Sequence, residues 1–151
     1  MRKLILGSML ALVAATPASA ERFAINCRGL ESLIVAQVGV DGVGAKGMDR
    51  KATYIVDEEA QTVEEYNADK RTLSPVCGVP LVCTRDFSAD RITLKGGIES
   101  GQASGAEFFD WNRKTGRLDI TWDRRTSKGV VMSRVAHLRC RLTKMPKLAG
   151  A

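Results

Sequence analysis

The sequence predicts an all-β fold, a small antiparallel sandwich or barrel of about seven to eight strands that disulfides staple together. Short runs in which apolar and polar residues alternate recur along the chain, and glycine-rich segments separate them. In addition, no long stretch has the apolar period of an amphipathic helix. The 151 residues, 44% hydrophobic and 26% charged, have the composition of one globular domain, which excludes a disordered or fibrous chain.

The first twenty residues are predicted to be a signal peptide, residues 1–20, and not part of the fold. The start is basic, residues 4–15 form an apolar run, and residues 18–20 read Ala-Ser-Ala, the small-x-small pattern of a cleavage site. The run is shorter than the roughly 20 residues that span a bilayer. We therefore expect a periplasmic or secreted protein with a single β-rich domain over residues 21–151, whose tail frays from about residue 145.

The mature chain holds four cysteines, and an even count in an oxidising compartment predicts two disulfides. Of the three possible pairings we favour Cys27–Cys140, which would tie the first strand to the last, together with Cys77–Cys83, which spans a short turn. Zinc binding is disfavoured because the spacing is C-x5-C and His137 is the only histidine. The sequence therefore predicts no metal site and no cofactor.

Alternating runs predict four strands in the first half of the mature chain: residues 22–27, 32–38, 51–56 and 62–66. Four glycines within residues 39–47 predict a mobile loop between the second and third of these strands. The third and fourth strands would form a hairpin; a short helix capped by Asp57 is the alternative.

A second hairpin gives the clearest local signal. Alternating runs at residues 107–112 and 117–123 flank a four-residue loop that ends in Gly116, for which we expect a left-handed conformation. If Asn112 lies opposite Arg117, the side chains of Trp111 and Trp122 point to the same face of the sheet. A shift of one residue would instead place Trp111 opposite Asp119.

Two further strands are predicted, at residues 91–94 and 130–142, with a glycine-rich link over residues 96–105 after the first of them. The last strand is the longest. Because Arg134 interrupts its inner apolar row, we expect the strand either to bulge or to emerge from the core near that residue.

Charge is distributed unevenly along a chain whose net charge is +6. Residues 21–100 carry 10 basic and 13 acidic residues, whereas residues 101–151 carry 11 basic and 4 acidic ones. A basic face attracts anionic lipid, anionic glycan or an acidic protein, and export argues against intracellular nucleic acid. The alternative is a solvated face that the acidic run at residues 57–65 partly neutralises. The candidate anion-binding residues are Arg113, Lys114, Arg117, Arg139 and Arg141.

No catalytic residue is predicted. His137 lies mid-strand on the expected outer face among arginines, and no phosphate-cradling or dinucleotide glycine motif occurs. Carboxylates are plentiful, so hydrolysis by a pair of acids stays open, but no pair is distinguished by its surroundings. A non-enzymatic protein is the favoured interpretation.

Several motifs resemble small uncharacterised exported proteins of Gram-negative bacteria: Phe23 four residues before Cys27, the strand ending Tyr-Ile-Val-Asp57, the Trp-Asn-Arg-Lys-Thr-Gly-Arg-Leu hairpin, and the final-strand Cys140. This resemblance implies an exported protein and no particular activity. Ser104-Gly105-Ala106 is also similar to the Ser-Gly motif of periplasmic inhibitors of c-type lysozyme, which are small barrels. The alternative function is therefore a periplasmic inhibitor of a hydrolase such as lysozyme, although an inhibitor of a basic enzyme gains from being acidic.

Overall fold

The fold is one antiparallel sheet of nine strands, curled into half a barrel. The computed structural model describes residues 21–37, 43–78, 81–100 and 103–149, and the predicted signal peptide lies outside these ranges. Within them, no helix is long and apolar enough to cross a membrane. The strands are β1 (Arg22–Gln37), β2 (Val43–Asp57), β3 (Thr62–Asn67), β4 (Thr72–Pro75), β5 (Val82–Phe87), β6 (Arg91–Ser100), β7 (Ala103–Asn112), β8 (Arg117–Thr126) and β9 (Val130–Thr143).

Two meanders build the sheet and meet at its centre. The spatial order is β4-β3-β2-β1-β9-β8-β7-β6-β5, so strands adjacent in sequence pair within each meander and β1 pairs with β9 between them. The edge strands β4 and β5 are consecutive in the chain. The predicted all-β antiparallel fold is confirmed, with nine strands. The short edge strands β4 and β5 add two to the predicted set, and β1 is one continuous strand where two were expected.

The strands at the centre are longer and more regular than the sequence predicts. Residues 43–47, expected in a mobile loop, belong to β2 and pair residue by residue with the second half of β1; residues 38–42 lie outside the described ranges. The bulge expected near Arg134 is also wrong, because β9 keeps one register with β1 along its whole length. The backbone N–H and C=O groups of these segments form hydrogen bonds with a long neighbouring strand. The pattern of side chains alone does not reveal that neighbour.

Apolar side chains on the concave face form the core. Phe109 is fully buried, and its ring meets the ring of Tyr54 edge-on at a centroid distance of 5.3 Å. At the end of the core, the rings of Phe23 and Trp111 lie 6.0 Å apart. These contacts join β1 and β2 to β7 across the curl of the sheet, so the core depends on that curvature.

The predicted hairpin register of β7 and β8 is confirmed. Trp111 lies opposite Leu118, and Gly116 has a φ of 70° in the left-handed region. Trp111 is only 4% exposed, whereas Trp122 is half-buried because it lies farther from the apolar core. The hairpin of β2 and β3 is confirmed as well, which excludes the short helix after Asp57.

Both predicted disulfides are present. Cys27 and Cys140 are direct register partners on β1 and β9. Cys77–Cys83 joins the segment after β4 to the start of β5, and its sulfurs lie against Gly96, where an added Cβ would approach both of them to 2.9 Å. Two disulfides are typical of an oxidising, extracytoplasmic compartment.

The segment after β9 runs along the β3–β4 side of the sheet. The Tyr66 hydroxyl donates a hydrogen bond to the carbonyl of Lys147 (3.0 Å), and the Ala149 N–H donates one to the carbonyl of Arg71 (3.0 Å). The part of the chain predicted to fray therefore makes two contacts with the sheet.

Candidate anion-binding surface

Arg113, the first of the five candidate cations, does not face the outer surface. Its guanidinium pairs with Glu58 (Nη1–Oε1 2.5 Å) and lies over the rings of Phe23 (5.6 Å) and Trp111 (5.9 Å). The side chain therefore covers the end of the apolar core. Its charge is matched locally, so the structure assigns Arg113 a packing role.

The other two hairpin cations are also paired. Lys114 Nζ lies 2.7 Å from Asp90 Oδ2, and Arg117 Nε lies 2.8 Å from Asp119 Oδ2. Both pairs are exposed, and exposed pairs of this kind add little to stability. They do, however, reduce the net positive charge at the hairpin tip.

The remaining two candidates lie on β9 and belong to a larger array. Arg139 lies opposite Arg117 on β8 and opposite Arg28 on β1, and Arg28 in turn lies opposite Lys51 on β2. All four side chains project from the convex face, because they alternate with buried residues on their strands. We call these four residues, Lys51, Arg28, Arg139 and Arg117, the cationic row.

Neighbouring strands are about 4.8 Å apart, so the cationic row places four positive charges within about 15 Å. Arg141 lies two residues beyond Arg139 on the same face of β9 and widens the array. Charges this close are not fully screened at physiological salt, where the Debye length is about 8 Å.

Most of these cations have no acidic partner. No carboxylate of the described residues lies within 4.0 Å of Lys51, Arg28, Arg139 or Arg141. The Arg139 guanidinium donates one hydrogen bond, to the carbonyl of Thr115 (3.1 Å), which fixes its direction next to the hairpin loop. The remaining donors of this surface face solvent.

The charges are balanced on the other half of the same face. Arg91 continues the line of the cationic row on β6, but both oxygens of Asp110 accept hydrogen bonds from its guanidinium. Asp119 accepts from Arg117 and lies 2.6 Å from His137 Nδ1. Although partial burial raises the pKa of Asp119, the hydrogen bonds from His137 and Arg117 hold it below its ordinary value.

Arg28 and Lys51 were missed by the sequence analysis. A signal for Arg28 was present, because pairing Cys27 with Cys140 on adjacent antiparallel strands places the flanking residues Arg28 and Arg139 opposite each other. Lys51 can be placed beside Arg28 only when the register of β2 against β1 is known. The glycine-rich connection between these strands does not reveal that register.

The donor groups of the row have the chemistry that suits an oxyanion. Guanidinium groups donate paired hydrogen bonds to phosphate, sulfate and carboxylate, and three of the four cations in the row are arginines. Within the described ranges no group of three His, Cys, Asp or Glu residues is arranged to hold a metal ion. Comparison of the chain with known protein families, with curated proteins and with solved structures finds no match.

Proposed function

We propose that this protein is an exported, non-enzymatic β-domain of the periplasm or the extracellular space that binds anionic components of the cell envelope. The ligands would be lipid headgroups or glycans that carry phosphate or carboxylate groups. The binding surface is the cationic row with Arg141.

One observation carries this proposal: four cations lie side by side on adjacent strands, and three of them, Lys51, Arg28 and Arg139, have no acidic partner among the described residues. Like charges directly opposite each other destabilise a sheet. An anion bound across the row would relieve this repulsion and would replace water at exposed guanidinium groups. A linear polyanion crossing the strands would meet one cation about every 4.8 Å.

The test is charge reversal in the centre of the row. We expect the double variant Arg28→Glu and Arg139→Glu to lose retention on heparin and on vesicles of phosphatidylglycerol with phosphatidylcholine. The matched control is Lys70→Glu with Lys128→Glu, which changes the net charge equally at exposed turn residues outside the row. Equal loss in both variants would show that net charge alone governs retention and would overturn the proposal.

A hydrolase inhibitor is the second candidate function, and fewer structural features support it. The acidic residues after β2 form a tight turn in which Asp57 Oδ1 accepts from the Ala60 N–H (2.8 Å) and Glu58 is engaged by Arg113. An inhibitor of a basic hydrolase would need such carboxylates to be available to the enzyme. Binding of an acidic partner by the cationic row, with no vesicle or heparin binding, would favour a protein ligand instead.

A further inference from the structure

The concave face is apolar at one end and charged at the other. Three carboxylates and two guanidinium groups gather beyond the apolar core, close to a half-buried tryptophan, Trp122. We call the five ionisable residues, Glu31, Arg50, Glu65, Glu107 and Arg134, the interior charged cluster.

Arg50 is the most strongly bound member of the interior charged cluster. It donates to Glu31, to both oxygens of Glu65 (2.9 Å each) and to the Tyr54 hydroxyl (3.3 Å). Burial lowers the pKa of Arg50, but Tyr54, Glu31 and Glu65 outweigh it and raise the pKa above its ordinary value. Arg50 therefore stays charged.

Arg134 is the second cation. Its Nε lies 3.3 Å from Glu31 Oε1, and its guanidinium lies 5.8 Å from the centre of the Trp122 ring. With Arg50 on its other oxygen, Glu31 bridges the two arginines. The two cations are thus matched in number by Glu31 and Glu65.

Glu107 is the carboxylate left over. It lies opposite Trp122 in the sheet register, and Trp122 in turn lies opposite Arg134. No basic side chain of the described residues comes within 4.0 Å of the Glu107 carboxylate. When Glu107 is ionised, the interior charged cluster is therefore one positive charge short.

Glu107 also borders empty space. An inner cavity of about 160 Å³ and a neighbouring cavity of about 390 Å³ share four lining residues, Pro75, Val76, Glu107 and Trp122. Ligand cavities usually measure about 300–1,000 Å³, so the two together have room for a small molecule. The shared wall combines an unpaired carboxylate, an aromatic ring and two aliphatic side chains.

We propose that these adjoining cavities bind a small organic monocation, a primary ammonium group on a short apolar chain. The ammonium would pair with Glu107, and the chain would pack on Trp122 and Val76. An aromatic ring beside a carboxylate suits a cation, because both attract positive charge. An anion fits less well: with Asp123 and Arg124, which line the outer cavity, the charged groups already comprise four carboxylates for three arginines.

Binding should weaken on acidification, because a proton competes with the ligand for Glu107. Burial, with a contribution from Glu65, raises the pKa of Glu107 to about 7 against the opposing effect of Arg134. The other charged or titratable groups on the surrounding strands are Glu31 on β1, Arg50 and Tyr54 on β2, and Asp123 and Arg124 on β8. Burial raises the pKa of Tyr54 to about 12, so it stays neutral over this range. Between pH 8 and pH 6 the ionised fraction of Glu107, and with it the affinity, should fall about tenfold.

The experiment compares three probes of equal length on the folded, disulfide-bonded protein by calorimetry and tryptophan fluorescence. At pH 8 we expect n-hexylammonium to bind at least tenfold more tightly than hexanol or hexanoate and to change Trp122 emission. Nα-acetyl-lysine amide is a fourth probe. If it binds about as tightly as hexylammonium, a lysine side chain of a partner protein can supply the ammonium group. If it binds much more weakly, the ligand is a free small amine.

Glu107→Gln keeps the shape of the side chain and removes its charge. This variant should lose at least tenfold in affinity for hexylammonium and should bind hexanol as before. The control is Glu59→Gln, an exposed carboxylate in the turn after β2 that lines neither cavity, which should not change binding. Preference for hexanoate, unchanged binding by Glu107→Gln, or no loss of wild-type affinity between pH 8 and pH 6 would each overturn the proposal. Because Arg28 and Arg139 lie on the opposite face, their reversal should leave amine binding intact, which separates this test from that of the outer surface.

Discussion

Arg28 of β1 and Arg139 of β9 lie directly opposite each other, next to the disulfide that joins the same two strands. The disulfide holds the strands in register, so the two guanidinium groups cannot separate by slippage. Like-charged residues at such positions cost stability in a sheet. This unfavourable pair on a solvent-exposed face is the feature on which the proposed anion binding rests.

The first prediction concerns this pair. Arg139→Glu replaces a repulsive cross-strand pair with an attractive one, so we expect the free energy of unfolding to rise slightly, by about 0.5 kcal/mol at most because the pair is exposed. Retention on heparin should fall in the same variant. Urea denaturation and salt elution from heparin measure the two effects. A variant that loses stability and keeps retention would contradict the assignment of Arg139 to the binding surface.

The second prediction separates Arg113 from the cationic row. Arg113→Ala removes a partly buried ion pair with Glu58 and two contacts with aromatic rings, so we expect a loss of about 1–2 kcal/mol in stability. Heparin retention should stay close to that of the wild type. Steep loss of retention with unchanged stability would instead place Arg113 at the ligand.

The third prediction is a pH dependence caused by Glu107. Its ordinary pKa of 4.5 applies to the unfolded chain, and burial raises it to about 7 in the folded protein. Between these values the folded state binds more protons, so stability should fall as pH rises from about 4.5 to about 7 and then level off. We expect about 1–2 kcal/mol after allowing for the solvent-exposed part of the side chain.

Glu107→Gln is the control for this effect, because it removes the titration and keeps the volume. Urea denaturation at pH 5 and pH 8 should give nearly equal stabilities for the variant, which should exceed the wild type at pH 8. Asp119, whose pKa is lowered, loses its contribution only at more acidic pH and does not interfere. The same slope in both proteins would assign the effect to another group.

The fourth prediction compares the two disulfides. Cys27–Cys140 closes a loop with a sequence separation of 113, and Cys77–Cys83 one of 6. On the chain-entropy model, paired replacement by serine should cost about 5 kcal/mol for the first and about 2 kcal/mol for the second. Guanidinium denaturation of the two double variants measures the difference, and equal losses would show that loop length does not dominate.

The fifth prediction uses two neighbouring glycines. A Cβ at Gly96 would lie 2.9 Å from both sulfurs of Cys77–Cys83, whereas a Cβ at Gly97 has its nearest neighbour at 3.9 Å. We therefore expect Gly96→Ala to lose about 1–3 kcal/mol by overpacking and Gly97→Ala to change stability little. Thermal unfolding of both variants tests this, and similar losses of stability would show that the contact with the disulfide does not cause the effect.

The sequence predicted what local patterns determine. Alternation determined the register of β7 against β8, and the even cysteine count, with the cysteine spacing and strand placement, led to both disulfides. Patterns failed where a neighbouring strand decides the outcome. Gly96 and Gly105 lie in paired strands, at positions where a Cβ would collide with a neighbouring group, and a glycine count cannot distinguish such positions from a loop.

The candidate sites were predicted only in part for the same reason: local patterns do not show which strands are neighbours. Arg139 and Arg141 were predicted correctly on the outer face of the last strand, but Lys51 joined them only through the register of β2. Arg134 interrupts the apolar pattern of β9, which predicts a bulge or a departure of the strand from the core. The position of Arg134 in the interior charged cluster explains this break in the apolar row, because its guanidinium pairs with Glu31 and lies over the Trp122 ring.

The pairing of β1 with β9 also has a consequence for how the chain reaches its fold. Every other pairing in the described sheet joins strands that are consecutive in sequence, so each meander can form as local hairpins soon after it is synthesised. The seam between β1 and β9 must wait until the last strand is available, and until then β1 presents an unpaired edge along one side. Loss of β9 would therefore not trim the sheet at its border. It would divide the sheet at its centre, into two four-stranded pieces that each lack the other half of the core.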